Sequence, residues 1–338
     1  IDRIVTTVDM MSAKQGDPYI RDKGRIGRVA PAVNSPPPQV GAARETGILL
    51  ASRPPYPAYL HCIIGTRRNT MQILGLCRFS YPALGGFQVG HETIEDRIAY
   101  LYEPARLEER FRLFEAVALP CLMAQTDPDF EMIVLVGDSL PKQHMARLKA
   151  LLSPLPHARI IVEPPRPHRE VMKEILNKAR LSRYEPCVQF RFDDDDAIAV
   201  DFIAKLRKAV DDAAPLLVQH KSVALDWNKG YVAEFGADGI EATPSYRPFY
   251  TAALAMFVNA RCPLTIMNFA HDKLPRFMPA LSFPDQAMYV RGHNGFNDSR
   301  QKNARPIELP PLSAEEETLF KDRFAIDINA VRRVFAKG

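Results

Sequence analysis

Short apolar runs alternate with amphipathic stretches along the middle of the chain. Between Leu107 and Leu122, apolar residues recur at spacings of four, three, four and four, which predicts one helix with a single buried stripe. Further helices are predicted near residues 142–152, 169–181 and 200–210. Strands are predicted at residues 132–136, 159–162 and 187–192. Strands that alternate with helices indicate a mainly parallel α/β sheet, whose ligands bind beyond the carboxyl ends of the strands.

The start of the chain has a different composition. Residues 1–58 are rich in proline and poor in aromatic residues, so we expect an extended or disordered leader that is dispensable for chemistry. The apolar run Tyr59–Ile64 is the predicted first strand, and it ends in a polar turn that contains Thr66 and Arg67. The catalytic domain is therefore predicted to span residues 59–300.

The second half of the chain is predicted to be a mixed α+β region. Its apolar segments are short, and six prolines interrupt them between residues 244 and 284. Residues 301–338 form a separate C-terminal helical region in this prediction. Ser313 and Glu316 have the spacing of a capping box at the start of its first helix.

Composition excludes some classes of protein. The 338 residues, 46% of them hydrophobic, suffice for a large core, and the net charge of +4 gives no support for nucleic-acid binding. The five cysteines are odd in number and widely spaced, which is typical of reduced core thiols and favours a cytoplasmic location. No apolar run is long enough to predict a transmembrane segment, although peripheral membrane contact and an upstream targeting segment stay open.

The strongest chemical signal is the acidic run from Asp193 to Asp196, which directly follows a predicted buried strand. Four adjacent carboxylates repel one another unless positive charge, hydrogen bonds or a helix N-terminus compensates them. Carboxylate oxygens suit Mg²⁺ or Mn²⁺, and Mg²⁺ commonly shares its remaining positions with substrate phosphates. We therefore expect a divalent cation that holds a nucleotide diphosphate. The structural alternative is that the acidic residues only cap the following helix.

Three segments resemble a family of bacterial rhamnosyl transferases, which are GT-A-type glycosyltransferases. They are the acidic segment Arg191–Ala197, the stretch from Arg110 to Phe130, and the segment Arg291–Ser299. The resemblance implies metal-dependent transfer of a sugar, with rhamnose as one candidate, from a nucleoside diphosphate sugar to a glycan or other hydroxyl acceptor. It also implies a GT-A (Rossmann-like) sheet flanked by helices.

The resemblance also implies roles for individual residues. Asp193 matches a position that contacts the metal or the nucleotide ribose, with Asp194 beside it as a second donor contact. Asp195 matches the main metal ligand and Asp196 an additional one. His293 is the expected imidazole ligand, with His271 as the alternative. Thr66 and Arg67 are expected donor contacts, although a solvated turn explains them equally well.

For an inverting transfer, the resemblance places a catalytic base between the acidic run and His293. Asp285 lies in that interval, and Pro284 before it is expected to start a helix aimed at the cleft. The structural alternative for Asp285 is an acid that stabilises the start of that helix. Asp272 is the alternative base.

Two other classes of function stay open on the sequence alone. Aspartates at strand ends also hold phosphates in Mg²⁺-dependent nucleotidyltransferases and phosphohydrolases. A non-catalytic metal-binding or carbohydrate-binding protein is the third candidate, although the sequence lacks the EF-hand spacing. The sequence also lacks the P-loop and the Gly-x-Gly-x-x-Gly fingerprint.

Overall fold

A computed structural model describes residues 71–85, 91–294 and 307–336. The proline-rich leader, the predicted strand Tyr59–Ile64 and the residues Thr66 and Arg67 lie outside these ranges. The first described strand is β1 (Gln72–Arg78), an apolar run that the sequence analysis did not assign. It pairs in parallel with the strands at residues 131–137 and 187–193.

Three strands in the first half of the sheet form as predicted. β2 (Glu131–Gly137), β3 (Ala158–Glu163) and β4 (Cys187–Asp193) follow the predicted runs closely. β1 pairs in parallel with both β2 and β4, and β2 pairs in parallel with β3. In the strand order β4-β1-β2-β3, β2 and β3 lie on one side of β1, and β4 lies on the other. The direction of strand addition therefore reverses between β1 and β4, which makes this position a topological switch point.

The second half adds three strands to the same sheet and builds a smaller one. β6 (Ser222–Trp227), β9 (Leu254–Val258) and β10 (Ala280–Phe283) complete the order β10-β6-β9-β4-β1-β2-β3, in which only β9 is antiparallel to its neighbours. The smaller sheet has the order β5-β11-β7-β8; its strands are β5 (Ala197–Ile198), β7 (Lys229–Gly236), β8 (Gly239–Tyr246) and β11 (Tyr289–Gly292). The prediction of a mixed second half is confirmed.

Nine α-helices lie in the described ranges. They are α1 (Ile94–Leu101), α2 (Pro104–Leu113), α3 (Leu119–Met123), α4 (Lys142–Leu152), α5 (His168–Ala179), α6 (Phe202–Asp212), α7 (Ala214–Leu217), α8 (Ala314–Phe324) and α9 (Ile328–Phe335). Two 3₁₀ helices, Ile266–Asn268 and His271–Arg276, lie between β9 and β10. The helix expected to start at Pro284 is absent: residues 284–288 are an irregular connection between β10 and β11.

The long helix predicted from Leu107 to Leu122 forms with one irregularity. Its middle, Phe114–Ala118, is a π-helical turn that joins α2 to α3. Pro120 has no N–H to donate to Ala116, which gives a physical reason for the wider turn just before it. The turn keeps the apolar stripe buried, because Phe114, Val117 and Ala118 are all inaccessible to solvent.

Helices cover both faces of the large sheet. One core lies between the sheet and the helices α2–α4 and α6, and α8 and α9 extend it; the other lies under α5 and the two 3₁₀ helices. The predicted capping box forms at the start of α8, where Ser313 and Glu316 bond each other's backbone N–H. α9 packs against β7, β8 and the π-helical turn. The predicted fold class, an α/β GT-A-type sheet flanked by helices with a mixed half, is confirmed.

The structure also bears on the cysteines and on membrane-spanning helices. Cys77, Cys121, Cys187 and Cys262 are buried and unpaired with one another, as expected for core thiols. None of the helices within the described ranges is both long and apolar enough to cross a membrane.

Candidate active site

The acidic run forms a tight turn at the switch point. β4 ends at Asp193, the backbone N–H of Asp196 donates to the carbonyl of Asp193 over 3.3 Å, and β5 begins at the next residue. The next helix, α6, starts only at Phe202, with β5 in between. The run is therefore not a helix N-terminus, and the capping alternative does not explain it.

Arg110 compensates the middle of the run. It lies on α2, and its guanidinium contacts Asp194 Oδ1 at 2.7 Å and Asp195 Oδ2 at 2.9 Å. Both carboxylates are buried, and Arg110 itself is nearly so. A pair that is this well buried must stay together, because removing one partner leaves an uncompensated charge in the interior.

The strand β11 supplies a second set of contacts. Arg291 Nη1 lies 2.8 Å from Asp193 Oδ2 and 2.7 Å from Asp196 Oδ2. The backbone N–H of Gly292 donates to Asp196 Oδ1, and the side-chain amide of Asn294 donates to Asp195 Oδ2. Gly292 must lack a side chain here, because a Cβ would overlap the carbonyl oxygen of Asp195. Protein groups therefore supply much of the positive charge that the sequence analysis assigned to a cation.

Asp193 and Asp194 lie in opposite electrostatic surroundings. Burial raises the pKa of Asp193, but Arg291, Arg78 and Arg191 outweigh it and hold the pKa well below its usual range. Burial raises the pKa of Asp194 to about 7, because Arg110 opposes it only in part and the neighbouring carboxylates add to it. Burial likewise raises the pKa of Asp196 well above its usual value, against the attraction of Arg291.

The run contains a set of atoms that fits a hard divalent cation. Asp193, Asp195 and Asp196 each place one carboxylate oxygen within 4.8 Å of the other two. Oxygen donors of this kind suit Mg²⁺ or Mn²⁺ rather than zinc. The side chain of Asp193 is 22% exposed, so this end of the set is open to a ligand. Three of the four predicted metal ligands thus come together.

Basic side chains surround the open end. Arg78 ends β1 and stands in register with Asp193 on β4, while Arg191 lies two residues earlier on the same face. His168 begins α5 beside them. Burial, followed by the charges of Arg78 and Arg191, lowers the pKa of His168 to about 3. Burial and the charge of Arg78 also lower the pKa of Arg191 to about 10, despite the attraction of Asp193.

A wall of aromatic side chains lies beside Arg291. The Tyr250 ring lies below the guanidinium groups of Arg247 and Arg291, and it contacts the rings of Tyr289 and His271. His271, the alternative imidazole ligand, bonds the carbonyl of Phe249 through Nδ1, and burial lowers its pKa. It is not part of the carboxylate set, so the structure assigns it to this wall.

The remaining predicted residues do not join the carboxylate set. His293 donates its backbone N–H to Ala233 and lies next to the set without belonging to it. The exposed side chain of Asp285 faces Lys205 on α6 at 3.9 Å. Asp272 is exposed on the second 3₁₀ helix.

The basic partners of the run were not predicted from the sequence. Arg110 carried a signal: Arg106 and Arg110 are four residues apart and border the apolar stripe at Leu107 and Phe111, so they had to face the interior. Arg78 ends an apolar run that was not read as a strand. Arg291 gave no such signal, because its partners lie almost a hundred residues earlier in the chain.

Another missed carboxyl is Asp226, near the end of β6. It accepts hydrogen bonds from the Phe249 N–H and the Ser282 hydroxyl, and burial raises its pKa to about 6. It is fully buried, so in this structure it supports the wall that carries Tyr250.

Fold and site together define the class of protein. A mainly parallel sheet with a carboxylate set at its switch point, joined to a mixed second half, is the architecture of a GT-A-type glycosyltransferase. Residues 72–306 match the family model described as "Putative rhamnosyl transferase", which covers more than half of the chain. The chain belongs to this family.

Solved structures similar to this chain include TarS of S. aureus. TarS 1-349 in complex with UDP-GlcNAc is 14% identical with a TM-score of 0.37; the alignment covers 68% of this chain and 60% of that one. TarS 1-349 in complex with UDP is 15% identical with a TM-score of 0.35, over 66% and 61% of the two chains. This chain therefore spans about three fifths of those chains. No curated protein matches by sequence.

Proposed function

We propose that the protein transfers a sugar from a nucleoside diphosphate sugar to a hydroxyl acceptor, with a divalent cation bound at the acidic run. The observation that carries this proposal is the pairing of opposite charges at the switch point. A carboxylate set that suits Mg²⁺ or Mn²⁺ lies directly beside an excess of guanidinium groups. A cation and a diphosphate together complement such a site, whereas either alone leaves part of its charge unmatched.

Asp195 and Asp193 would hold the cation, with Asp196 as a third ligand. When bound, the cation supplies positive charge to the diphosphate that leaves. Arg110 and Asn294 position Asp195 by bonding its Oδ2. Arg291 does the same for Asp193, so the open end of the set is held rigidly before any donor binds.

Arg78 and Arg191 would bind the phosphate oxygens of the donor. Burial and repulsion from Arg78 lower the pKa of Arg191 to about 10, against the attraction of Asp193. A phosphate group relieves that repulsion and accepts charge-assisted hydrogen bonds. His168 is neutral at physiological pH, because its pKa is about 3, so it can offer the same ligand a hydrogen bond without adding charge.

For the chemical step we propose inversion with Asp285 as the base. The acceptor oxygen bonds to the anomeric carbon, the bond from that carbon to the diphosphate oxygen breaks, and the hydroxyl proton passes to the carboxylate. Asp285→Asn should bind donor normally yet lose transfer by about 10²–10⁴-fold, the usual contribution of general base catalysis. If Asp285→Asn keeps parental transfer and Asp272→Asn does not, Asp272 is the base.

The donor sugar, the acceptor and the location in the cell are proposed on separate grounds. Rhamnose as the donor sugar follows from the description of the family. A glycan or other hydroxyl-bearing acceptor is the class that such transfer requires. The cytoplasmic location rests on the buried, reduced cysteines.

A panel of nucleoside diphosphate sugars with Mn²⁺, Mg²⁺ or EDTA tests the proposal. We expect metal-dependent release of nucleoside diphosphate from one donor, and thermal stabilisation by that nucleotide only when metal is present. Release of pyrophosphate or inorganic phosphate would instead indicate a nucleotidyltransferase or phosphohydrolase. Stabilisation by metal alone, with no response to any nucleotide, would indicate a non-catalytic metal-binding protein.

A further inference from the structure

Tyr250 lies in a stack with two arginines at the edge of the acidic run. The guanidinium carbon of Arg247 is 4.5 Å from the centre of the Tyr250 ring, and that of Arg291 is 5.6 Å from it. Arg291 also bonds Asp193 and Asp196, so the stack begins at the carboxylate set and extends away from it. We call Arg247, Tyr250 and Arg291 the arginine–tyrosine stack.

The two arginines of the stack differ in what neutralises them. Arg291 is largely buried and forms ion pairs with two carboxylates, those of Asp193 and Asp196. Arg247 is exposed, and among the described residues no carboxylate pairs with its guanidinium. Its backbone N–H is fixed by a bond to the carbonyl of Asn228. The ring therefore holds a charged group whose hydrogen-bond donors are available to a ligand.

The surroundings offer Arg247 little negative charge. Asp226, near the end of β6, already accepts hydrogen bonds from Phe249 and Ser282. Asp193 and Asp196 are bonded to Arg291. Lys273 and Arg276 add exposed positive charge on the short helix that carries His271, where Asp272 is the one acid. A negatively charged partner of Arg247 must therefore come from outside these residues.

The stack comes from different elements than the residues proposed for the donor phosphates. Arg78, Arg191 and His168 lie on β1, β4 and the start of α5. Tyr250 precedes β9 and contacts Tyr289 of β11. Arg191 also reaches the segment before His271, where its guanidinium donates to the carbonyl of Phe269. If the donor diphosphate binds at the first group of residues, Arg247 stays available to a second substrate.

From this arrangement we infer that the arginine–tyrosine stack is an acceptor subsite for an anionic acceptor, one that carries a phosphate or a carboxylate near the hydroxyl that receives the sugar. The inference rests on the proposed function, because it deepens the acceptor side of the same site. Arg247 would bind the anionic group through its fork of donors, and Tyr250 would hold the fork in place.

Calorimetry on the full chain tests the inference. The protein is first saturated with UDP and Mn²⁺, so that the donor phosphate site is filled, and then titrated with glucose, glucose 6-phosphate and glucuronate. We expect at least one of the two anions to bind about tenfold more tightly than glucose, as one charge-assisted hydrogen bond implies. Tighter binding of glucose 6-phosphate alone identifies a phosphate, and tighter binding of both identifies any anion of this size.

Arg247→Gln should abolish that preference and leave UDP binding unchanged. The matched control is Arg261→Gln, because Arg261 also lies over a tyrosine ring, that of Tyr184, at 5.4 Å. It follows the end of β9 that pairs with the start of β4, so it lies at the opposite end of the sheet from the acidic run. Equal binding of all three probes, or an anion preference that survives in Arg247→Gln, overturns the inference. If neither UDP nor any other nucleoside diphosphate of the panel binds, the proposed function is overturned instead, and with it the assignment of an acceptor.

Discussion

Asp193 and Asp194 are adjacent in the chain, yet their pKa values shift in opposite directions. Asp193 points to the face of the sheet that carries Arg191 and Arg78, and Arg291 adds a third guanidinium. Asp194 turns toward α2, where Arg110 is the first opposing charge and two other carboxylates compete for it. The alternation of side chains at the end of a strand separates the two neighbours.

The comparison divides the acidic run into an open side and a closed side. The open side, at Asp193, has more positive than negative charge around it and admits solvent, so it can accept a cation together with an anionic ligand. The closed side, at Asp194, is buried and joined to α2 through Arg110, so its main effect is on the stability of the fold. Whether an aspartate of the run affects ligand binding or stability therefore depends on which arginines surround it.

The largest effect is expected from the residue that links the two sides. Asp195→Asn should weaken UDP binding in the presence of Mn²⁺ on the order of a hundredfold or more, because a neutral amide replaces a proposed ligand. Asp194→Asn, on the closed side, should change UDP binding far less. Isothermal titration of both variants checks this, and parental affinity in Asp195→Asn would contradict the metal assignment.

The closed side should dominate stability. Arg110→Met leaves Asp194 and Asp195 buried without their guanidinium and should lower the free energy of unfolding by about 3–5 kcal/mol. Arg159→Met is the control, since Arg159 pairs with Glu131 at the surface and should cost less than about 1 kcal/mol. Urea unfolding monitored by circular dichroism measures both. Equal losses in the two variants would show that burial of the pair does not matter.

The open side should dominate nucleotide affinity. Arg78→Gln and Arg191→Gln should each weaken UDP binding about ten- to a hundredfold, the usual strength of a charge-assisted hydrogen bond. Arg191→Gln should cost little or no stability, because it removes a buried charge whose loss of hydration outweighs the attraction of Asp193. Calorimetry with Mn²⁺ and thermal unfolding without ligand give the two readouts. If Arg191→Gln unfolds readily yet binds UDP at parental strength, the residue is structural.

The pH dependence of stability gives a further test of the closed side. Because the pKa of Asp194 is raised to about 7 in the folded protein, the native state holds its proton more tightly than the unfolded chain does. The stability of the parent should therefore fall as pH rises from about 4 to about 7. Asp194→Asn should fall less over this range, although Asp196 contributes in the same direction. Parallel stability curves for parent and variant would contradict the assignment.

The sequence predicted those parts of the molecule that depend on local pattern. Strands β2 to β4, the helices between them and the Ser313 capping box follow from periodicity and capping chemistry within a few residues. It also predicted that the acidic run is a binding site, because four adjacent carboxylates repel one another unless positive charge compensates them.

The parts that it missed depend on long-range pairing. The run is compensated by Arg110 and Arg291, which come from elements far before and after it, and no local pattern indicates which arginine reaches which carboxylate. Strand β1 at Gln72–Arg78 was not predicted, and the strand predicted at Tyr59–Ile64 lies outside the described residues. Asp285 was expected at the start of a helix, but Pro284 is compatible with the irregular connection that forms instead.

The late position of β11 in the chain has a consequence for biosynthesis. The acidic run leaves the ribosome almost a hundred residues before Arg291 and Gly292, which complete its contacts. At about 5–20 residues per second, the carboxylates wait on the order of 5 to 20 seconds for those partners. During that interval the run can pair with Arg110, Arg78 and Arg191 but not with Arg291. The turn after β4 therefore reaches its final structure only after residues 291 and 292 have been made. A nascent chain halted before residue 291 should therefore expose this turn to proteolysis.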